Sequence, residues 1–423
     1  MTKEIKQRIE QIKNGEVPRG YKKTKIGIVP NEWEVKTLGE VGEFKKGREV
    51  SKNNVIDDGL PAMMYGDIYI KYNIKFDKVD FRISEETAKK STAVYKGDLL
   101  FTCSGETALE IGKCVCYIGD EIIYIGGDIV AISVKDYNSL FIAYQQNTFQ
   151  SIKEKARLGQ GHSVVHIYSD MISKLNICLP PLREQQKITD ILSTQDKVIE
   201  LKEKLLKEKE KQKKYLMQNL LTGRKRLKGF VGEWKKVKLG KCLVEKSDKT
   251  IQKNQYPVLT SSRKGIFLQN QYFNKSVSSE DNIGYKILRK NEFTYRTMSD
   301  DGKYTFNLLE EYEIGIVSPA YSVFNVNSDK CEIKFLYYLL NDFSFNKYIM
   351  KLIQGGTRLA LRYSELCKLE IKLPPLEEQK AIAEILTTAD KELKLLQEEL
   401  EEEKRKKKAL MQLLLTGIVR VKQ

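Results

Sequence analysis

LPPLREQQKITDILSTQDK, residues 179–197, and LPPLEEQKAIAEILTTADK, residues 373–391, are two versions of one segment, and they decide the fold. A fixed-period match inside a chain signals a duplicated architecture and has to be placed before anything else. Without a gap the copies run on to YLMQNLLTGRKR from Tyr215 and ALMQLLLTGIVR from Ala409. Backwards, GQGHSVVHIYSDMISKLNI from Gly159 lies against IQGGTRLALRYSELCKLEI from Ile353. Further back, Phe141, Tyr144, Asn147 and Phe149 match Phe335, Tyr338, Asn341 and Phe343. At the front, NEWEVKTLGE from Asn31 resembles GEWKKVKLGK from Gly232. Trp33, Leu38 and Gly39 there fall on Trp234, Leu239 and Gly240. Between these anchors the halves diverge almost completely, so the chain reads as a variable domain plus a shared helix, twice.

Pro-Pro opens each shared segment, as suits a helix N-terminus, and Thr222-Gly223 and Thr416-Gly417 stop it. In the second copy Ile382, Leu386, Ala389, Leu393, Leu396, Leu400, Leu410 and Leu414 trace a heptad seam. Ile188, Leu192, Ile199, Leu206, Leu216 and Leu220 trace it in the first, weakened at Gln195 and Lys202. Two helices of roughly 60 Å, at 1.5 Å per residue, are expected to pair within the chain. The domain between them is only about 40 Å across by compact-chain scaling, so an antiparallel pair spares it a long return. Charge does not decide, because basic Lys202 to Lys214 could also face acidic Glu398 to Glu403 in a parallel register.

The variable stretches read as strands and loops. GDIYIKYNIKF, DEIIYIGGDIVAISV, YPVLTSS and YEIGIVSPAYSVFNV are rich in Ile, Val and Tyr and broken by Gly, Asn and Asp. Helical patches are expected at Ser139 to Ala156 and Ile333 to Ile353, which makes the class α+β. With 423 residues, more than one globular unit is the default. A net charge of +16 favours a polyanionic partner, since each Lys or Arg on a phosphate releases a counterion. Seven scattered cysteines without a CxxC pair suggest a reduced, cytoplasmic setting. No apolar run approaches a membrane span, and MTKEIKQRIEQIK lacks the apolar centre of a signal peptide.

The doubled LPPL-x-EQ, each leading into a helix ending LLTG-x-x-R, resembles the specificity subunits of type I restriction-modification systems. The opening GYKKTKIGIVPNEWEVKTLGE is similar to their usual start. So are GLPAMMYGDI, YKGDLLFTCSGET and YIGGDIVAI in the first half, and YPVLTSS and GIVSPAYSVF in the second. The resemblance spans essentially the whole chain. It implies two small mixed α/β target-recognition domains separated by a long antiparallel two-helix coiled coil, with a pseudo-twofold internal repeat. Residues 1–178 form the first domain, its N-terminal segment packing near the end of the last helix. Residues 179–223 form the first spacer helix, 224–372 the second domain, and 373–423 the second helix and tail. It also implies that each domain reads half of a bipartite site on double-stranded DNA. Two methyltransferase subunits, and restriction subunits beyond them, would be scaffolded by the shared helices. S-adenosylmethionine, ATP and Mg would then belong to those partners, with no cofactor in this chain. Leu182, Glu184, Gln185, Ile188, Leu192, Leu376, Glu378, Gln379, Ile382 and Leu386 are the expected spacer and docking residues, since what is duplicated while the rest diverges suits a duplicated task.

Catalytic signatures are missing. Pro-Pro occurs only as Leu-Pro-Pro-Leu, without the polar and aromatic neighbours of an amino-methyltransferase tetrad, and there is no GxxxxGK[S/T]. His162 and His166 are four apart, but their run is β-like and lacks companion Glu or Cys, which argues against zinc. A fused restriction or methyltransferase fragment is the rival reading, and a coiled-coil scaffold without DNA a third. Base edges are read by hydrogen-bonding side chains on loops. Candidates in the first domain are Lys45, Lys46, Arg48, Lys52 and Asn53 on one loop, and Gln160, His162 and Ser163 on another. In the second they are Ser261, Ser262, Arg263 and Lys264, with Arg296, Gln354, Thr357, Arg358 and Arg362.

Overall fold

A computed structural model describes residues 2–161, 164–273, 281–352 and 359–421. The chain divides into two compact units, Met1–Leu201 with Leu400–Gln423, and Lys202–Glu399. The shared segments are the helices α1, Leu182–Leu220, and α2, Leu376–Leu414. Each starts on its Pro-Pro: Pro181 O accepts the N–H groups of Glu184 and Gln185, and Pro375 O those of Glu378 and Gln379. Each stops before a glycine in the left-handed region, Gly223 at φ 69° and Gly417 at φ 70°.

In the first unit the early part of α1 lies antiparallel to the late part of α2. Gln195 donates to Glu403 at 2.6 Å, and Lys407 pairs with Asp196 at 2.5 Å. In the second unit the late part of α1 meets the early part of α2 in the same sense. Lys202 pairs with Glu399 and Lys209 with Glu392, both at 2.6 Å, and Lys213 pairs with Asp390. As numbers rise on one helix they fall on the other, so three lysines of the basic run of α1 pair with acids of an antiparallel partner.

Each unit closes its divergent stretch with the same ladder. Glu34–Thr37 runs antiparallel to Asn176–Leu179, Glu34 opposite Leu179, and Lys235–Lys238 runs antiparallel to Glu370–Leu373, Lys235 opposite Leu373. Entry and exit of each divergent stretch are thereby pinned side by side, the exit directly before the Pro-Pro that opens a long helix.

Inside the ladder the first unit has a five-stranded sheet in the order Gly42–Lys46, Ile129–Val134, Leu99–Thr102, Cys114–Tyr117, Lys75–Phe76. The second has Leu243–Glu245, Tyr321–Val326, Phe293–Arg296, Asn307–Leu308. The first four strands correspond in order and register: Leu99 and Phe101 face Ile132 and Val130, as Phe293 and Tyr295 face Phe324 and Ser322. Thr92–Val94 also lies on Ile123–Ile125 as Lys286–Arg289 lies on Ile314–Val317. The near-complete divergence is therefore one of sequence alone: the two divergent stretches share a scaffold. A strand site asks for an apolar or β-branched side chain rather than a particular one, so identity fades while register stays.

Two local expectations also change. GDIYIKYNIKF is not one strand. Tyr65–Ile70 is a helix with Ile68 buried and Asp67 paired to Lys71 one turn on at 2.8 Å, and only Lys75–Phe76 is extended. Six residues are too few for alternation to separate the two periods. The helical patches are each split, into Ser139–Gln146 and Phe149–Leu158, and into Ile333–Asn341 and Phe343–Leu352. Asn147 and Asn341 sit at the breaks and donate to the carbonyls of Cys114 and Phe306, at 2.7 and 2.8 Å.

One core position differs sharply between the units. Lys155 is fully buried, its Nζ donating to the carbonyls of Gly112 and Gln146 at 2.5 and 2.8 Å, whereas the matching Ile349 is an ordinary buried hydrophobe. Burial pulls the Lys155 ammonium down to about 8 from its usual 10.5. The folded pKa lies below the unfolded one, so between them the unfolded chain binds more protons and stability rises with pH. Relative to Lys155→Met, the wild-type first unit should gain about 2 kcal/mol between pH 7 and 10. Urea unfolding at both pH values checks this, and parallel curves would refute it.

Candidate nucleic-acid interface

Both units carry one clamp where a long helix begins. In the first, Trp33 donates its indole N–H to Glu184 Oε2 at 3.2 Å, and Arg420 forks onto the same carboxylate at 2.7 and 2.8 Å. In the second, Trp234 reaches Glu378 Oε2 at 3.3 Å, and Arg226 forks onto it at 2.6 and 2.7 Å. Each indole meets a phenylalanine edge-on, Phe141 or Phe335, with centroids 6.4 Å apart. Gly223 and Gly417 back onto Trp234 and Trp33, where a Cβ would lie 3.3 Å from the ring. The two ends of the chain meet in the first clamp: Tyr21 donates to Gly417 O at 2.8 Å and Arg8 to Ile418 O at 3.0 Å.

The neighbouring glutamines tie the helix to the globular part of its unit. Gln185 Oε1 accepts from Asn138 N and Gln379 Oε1 from Glu332 N, both at 2.9 Å, while their amides donate to Pro180 and Pro374 carbonyls. About three turns further along each helix, Asp196 and Asp390 accept the hydroxyls of Tyr144 and Tyr338, each at 2.6 Å. The docking expectation for the duplicated motif is corrected here. Glu184, Gln185, Ile188, Leu192, Glu378, Gln379, Ile382 and Leu386 are all buried against their own unit, and only Leu182 and, in part, Leu376 reach solvent. Duplication of these side chains reflects duplicated internal packing.

The clamp fixes which end of each sheet is free. Strand Ile129–Val134 runs into Asn138, held by Gln185, and Tyr321–Val326 runs towards Glu332, held by Gln379. Its opposite end, about 17–20 Å away for six residues, forms a rim that carries most of the candidate loops.

In the first unit Gly47 N bonds Ile129 O at this rim, so Lys46 and Arg48 emerge beside it, both exposed. Lys52 and Asn53 lie exposed in the short turn Lys52–Asn54. Lys45 is partly used: it donates to Ser133 at 3.1 Å and covers the Tyr95 ring. Gln160 is exposed and pairs through its backbone with His166. His166 Nδ1 lies 2.9 Å from Ser104 Oγ, a structural contact. His162 and Ser163 lie outside the described residues. Sequence reasoning missed Tyr69, which donates to Ser104 O at 2.9 Å and lies 2.7 Å from Thr102 Oγ1, burial pushing its phenol up to about 12.

In the second unit the hairpin Leu259–Ser262/Gly265–Leu268 brings Ser261 and Ser262 to Asn307, whose amide donates to Ser261 Oγ and Ser262 O at 2.7 and 2.8 Å. Arg263 is paired with Asp301 at 2.6 Å and orders the loop. The Lys303 backbone N–H is the main reason that the Asp301 carboxyl is held low. Ser261, Ser262, Arg263, Arg296 and Lys303 share one polar notch of about 160 Å³. Lys264, Arg296 and Arg362 are exposed. Arg362 follows Leu361, whose N–H bonds Thr297 O, so it too stands beside the strand end that carries Arg296. Gln354, Thr357 and Arg358 lie outside the described residues. Thr102 and Arg296 hold equivalent strand positions, so one scaffold site carries a hydroxyl in one unit and a cation in the other.

Among the described residues no group of three or more His, Cys, Asp or Glu side chains could hold a metal ion, and no helix is long and apolar enough to cross a membrane. The family described as type I restriction modification DNA specificity domain matches residues 30–211 and again 229–404. The chain belongs to this family. The doubled match falls on the two clamped halves, so each half is one specificity domain. The type I restriction enzyme MjaVIII specificity subunit of Methanocaldococcus jannaschii is 28% identical over 420 residues, covering 93% of this chain and 94% of that protein. Two solved structures share the fold. The S subunit of the type I restriction-modification system from M. genitalium has a TM-score of 0.56 at 14% identity, over 90% of this chain and 96% of that one. A chain from a study of complex assembly and conformational transition of the type I R-M system has 0.54 at 17%, over 92% and 99%.

Proposed function

We propose that this specificity subunit reads a bipartite target on double-stranded DNA, one half per reader, and performs no chemistry itself. What carries the reading is the contrast inside each unit: a constant clamp at the helix end and, at the opposite end of one shared sheet, loops that differ between units. A constant base with a changeable rim suits a module whose contacts must vary while its mounting must not. Two methyltransferase subunits and the restriction subunits assemble on this chain in the cytoplasm and bring S-adenosylmethionine, ATP and Mg with them. The buried clamp leaves the solvent faces of α1 and α2 for those partners. Electrophoretic shifts with and without co-expressed methyltransferase, at two salt concentrations, test this. Sequence-selective retardation by the assembly is expected, with the non-selective part fading faster as salt rises. DNA modification by this chain alone would favour a fused enzyme, and no DNA binding in any combination would leave only a scaffold.

A further inference from the structure

One helix face in each unit is duplicated and is used by neither the clamp nor the rim. Phe149–Leu158 and Phe343–Leu352 occupy matching places, each just after the helix carrying Tyr144 or Tyr338. Their inward positions have drifted, Lys155 in one and Ile349 in the other. Three of their outward positions keep their character. Phe149, Lys153 and Arg157 are exposed at four-residue steps, and so are Phe343, Lys347 and Lys351. That spacing stacks each set into one ridge. Lys153 Nζ lies 4.4 Å from the Phe149 ring centroid, which props the ammonium outward. Among the described residues none of the four cations makes an ion pair. Both ridges lead to the rim. After Arg157 the chain reaches Gln160, which bonds His166 beside Ser104, and Asn346 in the second helix accepts the N–H of Tyr304 in the rim loop.

We propose that the Lys153–Arg157 and Lys347–Lys351 ridges grip DNA phosphates beside each half-site and do so without regard to base sequence. This rests on the DNA-reading function proposed above. Readers that recognise different bases have no reason to keep the same exposed cations for base contact, whereas the phosphate backbone is the same under both. Unpaired cations next to the reading loops suit that chemistry, and each phosphate contact adds about 0.9 to the slope of log affinity against log salt.

The test uses the full assembly with methyltransferase and compares Lys153→Gln/Arg157→Gln, Lys347→Gln/Lys351→Gln and the fourfold variant with the unaltered chain. Each pair should make the salt slope shallower by about 2, and the fourfold variant by about 4. Affinity for target and unrelated duplexes should fall by the same factor, with assembly unchanged. Lys153→Arg and Lys347→Arg should keep the original slope. An unchanged slope, or a loss confined to the target sequence, overturns the proposal. So does failure to assemble with methyltransferase, which would make the ridges a protein-docking surface. If the unaltered assembly does not retain DNA selectively, the functional reading itself fails, an outcome separable from these.

Discussion

Arg226→Ala is expected to destabilise the second unit by about 3–5 kcal/mol, because it leaves the Glu378 carboxylate, which has no solvent exposure, without its countercharge. The Trp234 indole alone cannot replace a two-pronged guanidinium on both oxygens. Arg226→Lys should fall between, keeping charge but losing the fork. Arg226→Ala combined with Glu378→Gln should recover most of the loss, since the amide is neutral and still accepts from Trp234. Urea unfolding followed by fluorescence reads this directly, as the chain has two tryptophans and each clamp contains one. A loss below about 1 kcal/mol would show that water reaches Glu378 and that the pair behaves as a surface bridge. Arg420→Ala should act likewise on Glu184, where Arg420 also holds Glu32.

What was legible in the sequence follows from how narrowly each residue is constrained. A tryptophan that must meet a phenylalanine edge and a buried carboxylate at once has no substitute, so Trp33/Trp234 and Glu184/Glu378 survive in both copies. Distance alone predicts the antiparallel sense, and specific pairs such as Lys209–Glu392 meet it. The clamp's inward orientation was not legible, because EQ at the start of a helix looks the same whether it faces a core or a partner. The common scaffold was within reach. Extending the LPPL register back would have set Gly97 against Asn291, both at positive φ (94° and 62°) in matching turns, each ahead of an acid, Asp98 or Glu292, that caps its own turn. The rim was the least legible. Base-reading chemistry uses the same Ser, Arg and Asn side chains that order any loop. Only the fold shows Arg263 held by Asp301, or Tyr69, Thr102, Ser104 and His166 forming one chain of contacts from residues far apart in sequence.

Exchanging Leu239 to Leu369 for the matching stretch of another family member should replace one half of the recognised sequence and leave the other half untouched. These residues lie between the strands Lys235–Lys238 and Glu370–Leu373, and the ladder keeps its register through backbone pairing that does not depend on the stretch it encloses. Arg226, Trp234, Glu378 and Gln379 all stay outside the exchange, so most of the clamp and the mounting on α2 persist. Glu332 and Tyr338, which the exchange replaces, are the points to match: the incoming domain needs a backbone N–H for Gln379 and a hydroxyl for Asp390. Each mismatched base pair costs about 1–3 kcal/mol, so three changed positions would separate the old and new targets by about 3–9 kcal/mol, more than a hundredfold. Mapping methylated sites in cells carrying the exchanged chain checks this. The expected pattern is one old half-site joined to one new one. If both halves changed, a single unit would be reading across the whole site, and the assignment of one reader to each half would be wrong.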